Sequence, residues 1–145
     1  MTISNSASPR QTIEQRRSLH AWKRITSMAR LEHGQRKYPD DAKEYADEAK
    51  RLPTRILTAG LGASLAFVLA RAQAKSDKPK RHLVRLIDDL THWLRERPIP
   101  MTHPESLTES IMHGSADFLR RATDETLAYL TWLNRFADAE GLRKD

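Results

Sequence analysis

Apolar side chains recur every three or four residues along most of this chain, and that spacing predicts amphipathic helices. A first helix is expected to start at Ser8-Pro9, where a capping side chain precedes a proline, and to end at Gly34. A second helix is expected to start at Pro39-Asp40-Asp41 and to be kinked or broken at Pro53, which has no amide hydrogen. The inner stripe of this second helix is predicted to be Tyr45, Ala46, Ala49 and Leu52.

Three further helices are predicted in the second half of the chain, and no strand pattern is found. The first of them has an inner stripe of Leu83, Ile87, Leu90 and Leu94 and an outer face of Arg81, Arg85, Asp89 and His92. A short helix follows a proline-rich loop and is expected to begin with a capping box at residues 102–105. The last helix, capped by Ser115, has an inner face of Phe118, Ala122, Tyr129, Leu133 and Phe136.

The most apolar stretch is Ile56 to Ala70, which contains no charged residue and has no polar face on a helical wheel. A helix that is apolar all round is expected to be buried on most sides, and this one is too short to span a bilayer. The pattern therefore predicts an all-α fold, a compact single-domain bundle of about five to six helices around this buried apolar central helix. Residues 1–8 are predicted to be a disordered tail, and residues 9–145 to form the domain.

The chain has no cysteine, which excludes a disulfide framework, a thiol nucleophile and a thiolate metal site. No signal peptide or membrane span is recognised, so a cytoplasmic location is expected.

The net charge of +6 is unevenly placed. Residues 1–37 and 51–85 each carry eight basic side chains, against two and one acidic ones, while residues 38–50 and 86–145 are net acidic. Such alternation suggests separate faces for nucleic acid and for protein, although a merely solvated basic surface stays an alternative.

No catalytic or metal motif accompanies this charge. Asp88 and His92 stand four residues apart and favour an exposed contact over a ligand pair, so neither a metal nor another cofactor is predicted. Trp22 is predicted to lie in the core, whereas Trp93 and Trp132 lie near stripe edges and are candidates to anchor a protein partner.

The remaining signal is the set of basic side chains, mostly arginine, which suits phosphate contact without base specificity. The candidate phosphate-binding residues are Arg16, Arg17, Lys23, Arg24, Arg71, Lys75, Lys78, Lys80, Arg81 and Arg85.

Several segments in order resemble one protein family. The most specific are L-P-x-x-I-x-x-x-G-L at residues 52–61 and T-x-E-x-L-A-x-L-x-W-L at residues 123–133, supported by Gln15-Arg16-Arg17 and His82-Leu83. They resemble the small, fifth Cmr subunit of type III-B CRISPR RNA-guided effector complexes, over nearly the whole chain.

The resemblance implies an all-helical subunit without catalytic activity in antiviral defence. Its implied partners are CRISPR RNA, target RNA, the backbone and large subunits of the complex, and other copies of itself, with no membrane. A purely structural scaffold without direct RNA contact is the alternative. An enzyme is a third hypothesis, which no motif supports.

Overall fold

Six α-helices and one β-hairpin make up residues 10–73 and 80–143, the parts of the chain that the computed structural model describes. The all-α class and the single helical bundle are confirmed. The predicted tail at residues 1–8, Lys75 and Lys78 lie outside the described residues. In chain order the elements are α1 (Ile13–Thr26), β1 (Arg30–Glu32), β2 (Gln35–Lys37), α2 (Asp40–Ala59), α3 (Leu61–Gln73), α4 (Arg81–Arg95), α5 (Leu107–His113) and α6 (Ala116–Ala139).

Helix α1 is shorter than predicted at both ends. It begins after Thr12, whose hydroxyl accepts from the Gln15 amide while the Gln15 side chain accepts from the Thr12 amide, a complete capping box. The prediction that the helix continues to Gly34 is wrong, because β1 and β2 pair there as an antiparallel hairpin. His33 and Gly34 have φ of 52° and 77° and form its two-residue turn, which requires positive φ at both positions.

Helix α2 runs through Pro53 and ends at Gly60, whose φ of 93° favours glycine. Proline cannot donate the helical hydrogen bond to the carbonyl of Ala49. The side-chain amide of Asn134 on α6 donates to that carbonyl at 2.9 Å instead. A contact from another helix thus satisfies the carbonyl that Pro53 leaves without its usual donor.

The apolar stretch from Ile56 to Ala70 therefore spans two helices, and only one side of it is buried. Leu61, Leu65 and Val68 of α3 lie in the core, where α3 packs against α2, α4 and α5. Leu57 is 75 % exposed and Phe67 is 46 % exposed. The expectation of burial on most sides is thus wrong for the outer surface, because no described element covers it.

Helices α4 and α6 complete the core with their predicted stripes, in which Phe136 alone is only partly buried. Ser115 caps α6 as predicted, but the cap of α5 is Ser106 and not a box at residues 102–105. Asp89 and Trp93 are fully buried on α4, which corrects the outward placement of Asp89 and the edge position of Trp93. In the described part of the chain, every helix is too short or too polar to cross a bilayer.

Candidate nucleic-acid interface

Basic side chains from α1 and α4 meet where the end of α1 crosses the start of α4. Arg24, Arg81 and Arg85 line one cleft of about 710 Å³, together with Pro39 and Asp41 from the start of α2. The sequence places Arg24 far from the other two arginines, so this grouping is a product of the fold. Asp41 and Asp88 also line the cleft and offset part of its positive charge.

The buried Asp89 carboxylate holds two of these arginines in place. Arg24 donates from Nε to Oδ1 at 2.5 Å, and Nε of Arg85 lies 3.6 Å from Oδ2. The hydroxyl of Tyr45 donates to the same Oδ2 at 2.6 Å, and burial followed by the nearby carboxylate raises the pKa of Tyr45 well above its ordinary value. Arg85 also donates to the Ser27 hydroxyl at 2.6 Å. Arg24 and Arg85 are each 32 % exposed, so both are fixed in direction yet reachable from the cleft.

A second cleft of about 380 Å³ continues along α1. Arg16, Lys23 and Arg24 line it, so Arg24 belongs to both clefts. The side chains of Arg16 and Lys23 are exposed and form no hydrogen bond or ion pair with the described residues. Lys80 is likewise exposed beside Arg81 at the start of α4. Together with Arg24 and Arg85, whose guanidinium groups lie against Asp89, these exposed side chains form one basic surface.

Arg17 has a different position from its neighbour Arg16. It is only 9 % exposed, and Glu125 accepts from its Nε at 2.7 Å and from its Nη2 at 3.1 Å. Its Nη1 donates to Glu14 at 3.0 Å. The hydrogen bond that Arg17 donates to Glu125 is the main cause that raises the pKa of Arg17. The guanidinium thus joins α1 to α6 and is directed away from solvent, so Arg17 drops out of the candidate surface.

Arg71 lies apart from the two clefts and lines neither. It pairs with Glu48, a carboxylate 1 % exposed, which also accepts from Arg55 at 2.7 Å. The structure therefore divides the eight predicted cations that it describes. It brings Arg16, Lys23, Arg24, Lys80, Arg81 and Arg85 to the α1–α4 side of the molecule and separates Arg17 and Arg71 from them.

Sequence reasoning missed a polar cluster in the second cleft. His20 contacts three groups: Nδ1 is 2.6 Å from the Tyr129 hydroxyl, and Nε2 is 2.7 Å from Nδ1 of His92 and 3.2 Å from Glu96. Burial lowers the pKa of His20 to about 4. The sequence could have indicated that His92 and Glu96 lie close together, because they are four residues apart on one helix. It could not have indicated that His20 of α1 joins them. His92, considered in the sequence with Asp88, pairs with these groups instead.

The tryptophans contribute to packing. Trp93 is 1 % exposed, stacks on Tyr129 at 5.4 Å and donates to Glu125, so its predicted role as a surface anchor is wrong. Trp22 is only partly buried, against Phe136, so the prediction that it lies in the core is wrong. Trp132 is partly buried and donates to Glu14.

Comparison with known proteins gives one consistent result. The model of the family Cas_Cmr5, described as CRISPR-associated protein, matches residues 13–140, which include all six described helices. The fold is similar to the crystal structure of a CRISPR-associated Cmr5 family protein from Thermus thermophilus, with 26 % sequence identity and a TM-score of 0.64. That match covers 89 % of this chain and 97 % of the other. The resemblance found in the sequence is thus confirmed, and the chain belongs to the Cas_Cmr5 family of CRISPR-associated proteins.

Proposed function

We propose that this protein is a non-catalytic small subunit of a type III-B CRISPR (Cmr) effector complex, in the cytoplasm, and that it contacts RNA phosphates through its α1–α4 surface. Family membership supports the first part, because it implies a subunit of a Cmr complex. The proposed contact with RNA rests on one observation: Arg24, Arg81 and Arg85 line the same cleft, next to the exposed Arg16 and Lys23. We call Arg16, Lys23, Arg24, Lys80, Arg81 and Arg85 the basic face.

The chemistry of the basic face suits phosphate better than bases. Guanidinium groups contact phosphate oxygens in pairs, and Asp89 already orients two of them. Trp93 and Tyr129, the largest aromatic side chains near the second cleft, are fully buried and offer no stacking surface for a base. We therefore expect backbone contact that is independent of sequence, with CRISPR RNA or target RNA as the ligand. Lys75 and Lys78 stay sequence-based candidates for the same surface.

The polar side chains support a role without catalysis. Ser64, which is buried, donates to the backbone carbonyl of Gly60 at 2.7 Å, and Ser110 donates to that of His103 at 2.7 Å. Among the described residues, neither hydroxyl contacts a base that would activate it as a nucleophile. The buried Asp89 accepts hydrogen bonds from Arg24 and Tyr45, and His20 and His92 contact each other and Glu96.

Charge reversal in the reassembled complex tests the RNA contact. A variant with Arg16, Lys23, Lys80 and Arg81 changed to Glu is expected to capture target RNA more weakly and to fold normally, because all four side chains are exposed. The slope of log affinity against log salt is expected to fall by roughly 0.7 for each lost phosphate contact. Changing the equally exposed Lys37 and Lys50 to Glu is the control. Unchanged capture and slope in the fourfold variant would contradict the proposed interface.

A specific observation favours a second candidate, the structural scaffold. Leu57, Phe67 and Met112 are exposed apolar side chains, the kind of surface that protein partners cover. On this hypothesis the chain contacts backbone or large subunits, or its own copies, without touching RNA. Crosslinking in the assembled complex separates the two: crosslinks from the basic face to protein but never to RNA would favour the scaffold.

A further inference from the structure

Three potential metal ligands converge between α1 and the end of α4. Nε2 of His20 is 2.7 Å from Nδ1 of His92. Oε2 of Glu96 lies 3.2 Å from the first nitrogen and 3.1 Å from the second. Two imidazole nitrogens and a carboxylate oxygen are a ligand set that zinc accepts in proteins.

The spacing of the three atoms fits a single ion. A circle through them has a radius of about 1.7 Å, which is less than the roughly 2.0–2.2 Å bonds that zinc forms with histidine and carboxylate ligands. A point about 1 Å out of their plane therefore lies at bonding distance from all three atoms. The ligands subtend roughly 80° to 105° at that point, which a four- or five-coordinate ion accommodates.

The surroundings supply the support that metal-binding histidines need. The side chain of His20 is 10 % exposed, and its other nitrogen lies 2.6 Å from the hydroxyl of the fully buried Tyr129. Donation from Nδ1–H to that hydroxyl leaves the lone pair of Nε2 for a metal and fixes the ring orientation. His92 and Glu96 are 41 % and 45 % exposed and line the second cleft, which gives an ion a way in.

We propose that His20, His92 and Glu96 bind one divalent transition-metal ion, with zinc as the preferred ion. Three protein ligands leave a coordination position for water, as in other open zinc sites. The ion links α1 to the end of α4, in the cleft that Arg16 and Lys23 also line. This inference goes beyond the proposed function, because it requires neither RNA nor the other subunits.

The described residues contain one comparable cluster, formed by His103, Glu109 and His113. Its members are more exposed: the side chains of His113 and Glu109 are 59 % and 48 % accessible. The imidazole of His103 contacts the hydroxyl of Thr102 at 3.1 Å, and within residues 10–73 and 80–143 it has no buried hydrogen-bond partner comparable to Tyr129. We therefore assign the metal to the α1–α4 cluster, and His113→Ala is the matched control.

Zinc titration of the full chain, free of any histidine tag and stripped with a chelator, tests this assignment. Competition against a chromogenic chelator is expected to show one zinc per chain, and cobalt is expected to give visible absorption bands of a low-coordinate site. His92→Ala and Glu96→Gln are expected to weaken zinc binding at least tenfold while the metal-free variants keep their thermal midpoint, since both side chains are half exposed. Tyr129→Phe is expected to weaken zinc binding by about 10- to 100-fold through loss of the outer hydrogen bond.

Three results would overturn the site. They are the absence of stoichiometric zinc in the unmodified protein, unchanged affinity in both His92→Ala and Glu96→Gln, and loss of zinc in His113→Ala alone. In the last two cases the histidine cluster is only a hydrogen-bonded chain from Tyr129 through His20 to His92. Because no RNA is present in this experiment, its failure leaves the proposed RNA contact untouched.

Discussion

Two fully buried carboxylates, Asp89 on α4 and Glu48 on α2, each hold a pair of arginines at the surface. Asp89 binds Arg24 and lies near Arg85, and Glu48 binds Arg55 and Arg71 closely, with Arg51 farther away at 3.9 Å. A buried charge is costly unless it is paired and hydrogen-bonded, so both carboxylates require these partners. Each carboxylate in turn fixes the orientation of the arginine side chains that it binds.

The surroundings of the two pairs differ. Arg24 and Arg85 line the first cleft and are joined there by Arg81. Arg55 lies instead over the ring of Phe67, with its guanidinium carbon 4.2 Å from the ring centroid, beside an exposed apolar surface. The same ion pairing therefore borders, on one side, the cleft that we propose for phosphate and, on the other, a mixed aromatic and cationic surface of the kind that suits protein. The neighbours of an arginine, and not its charge alone, determine which ligand it suits.

Asp89→Asn is expected to have the largest effect, a loss of about 3 kcal/mol in the free energy of unfolding. The substitution keeps the volume of the side chain but leaves two arginines without their buried counter-charge, and it perturbs the acceptor of the buried Tyr45 hydroxyl. Urea unfolding followed by circular dichroism measures the change. A loss below about 1 kcal/mol would mean that Asp89 is not the anchor of this pair.

Glu48→Gln is the matched change on the other pair, with an expected loss of about 2 kcal/mol. The cost is smaller because, among the described residues, no buried hydroxyl hydrogen-bonds to Glu48, whereas the Tyr45 hydroxyl donates to Asp89. The same unfolding experiment measures it. Capture of target RNA by the assembled complex is expected to stay within about twofold, a change of under 0.5 kcal/mol. A larger drop would return Arg71 to the RNA interface.

Leu57→Asp is expected to change the free energy of unfolding by less than about 0.5 kcal/mol, because the side chain is 75 % exposed. Its effect is expected on assembly: co-purification with the other subunits weakens if the exposed apolar surface formed by Leu57 of α2 and Phe67 of α3 contacts protein. Leu31→Asp is the control, since Leu31 on the hairpin is 74 % exposed. Equal co-purification of both variants would remove the protein role from this surface.

The local pattern predicted most helices but missed the hairpin. The stripes of α2, α4 and α6 were readable because their core residues repeat with helical spacing. The hairpin escaped because its strands are three residues each, all but one of whose residues are exposed, so they carry no alternating pattern. Gly34 was noticed as a helix end, whereas its positive φ serves a turn.

The candidate site was predictable only in its residue types. The excess of arginine and lysine in residues 1–37 and 51–85 indicated an anionic partner. Adjacent cations then separated: Arg16 is exposed, while Arg17 pairs with Glu125, which lies 108 residues away along the chain. No local rule gives that partner, because it depends on how α6 packs against α1.

The sequence by itself determined the helical class, the absence of thiol chemistry, the positive charge and the family motifs, since all of these follow from composition and short-range spacing. The tertiary structure decided which charges are free and which are buried. It placed Asp89 beneath Arg24 and Arg85, exposed one side of the apolar stretch around α3, and brought His20 to His92 and Glu96. These outcomes depend on contacts between residues far apart in the chain, and their energies exist only once the helices have packed.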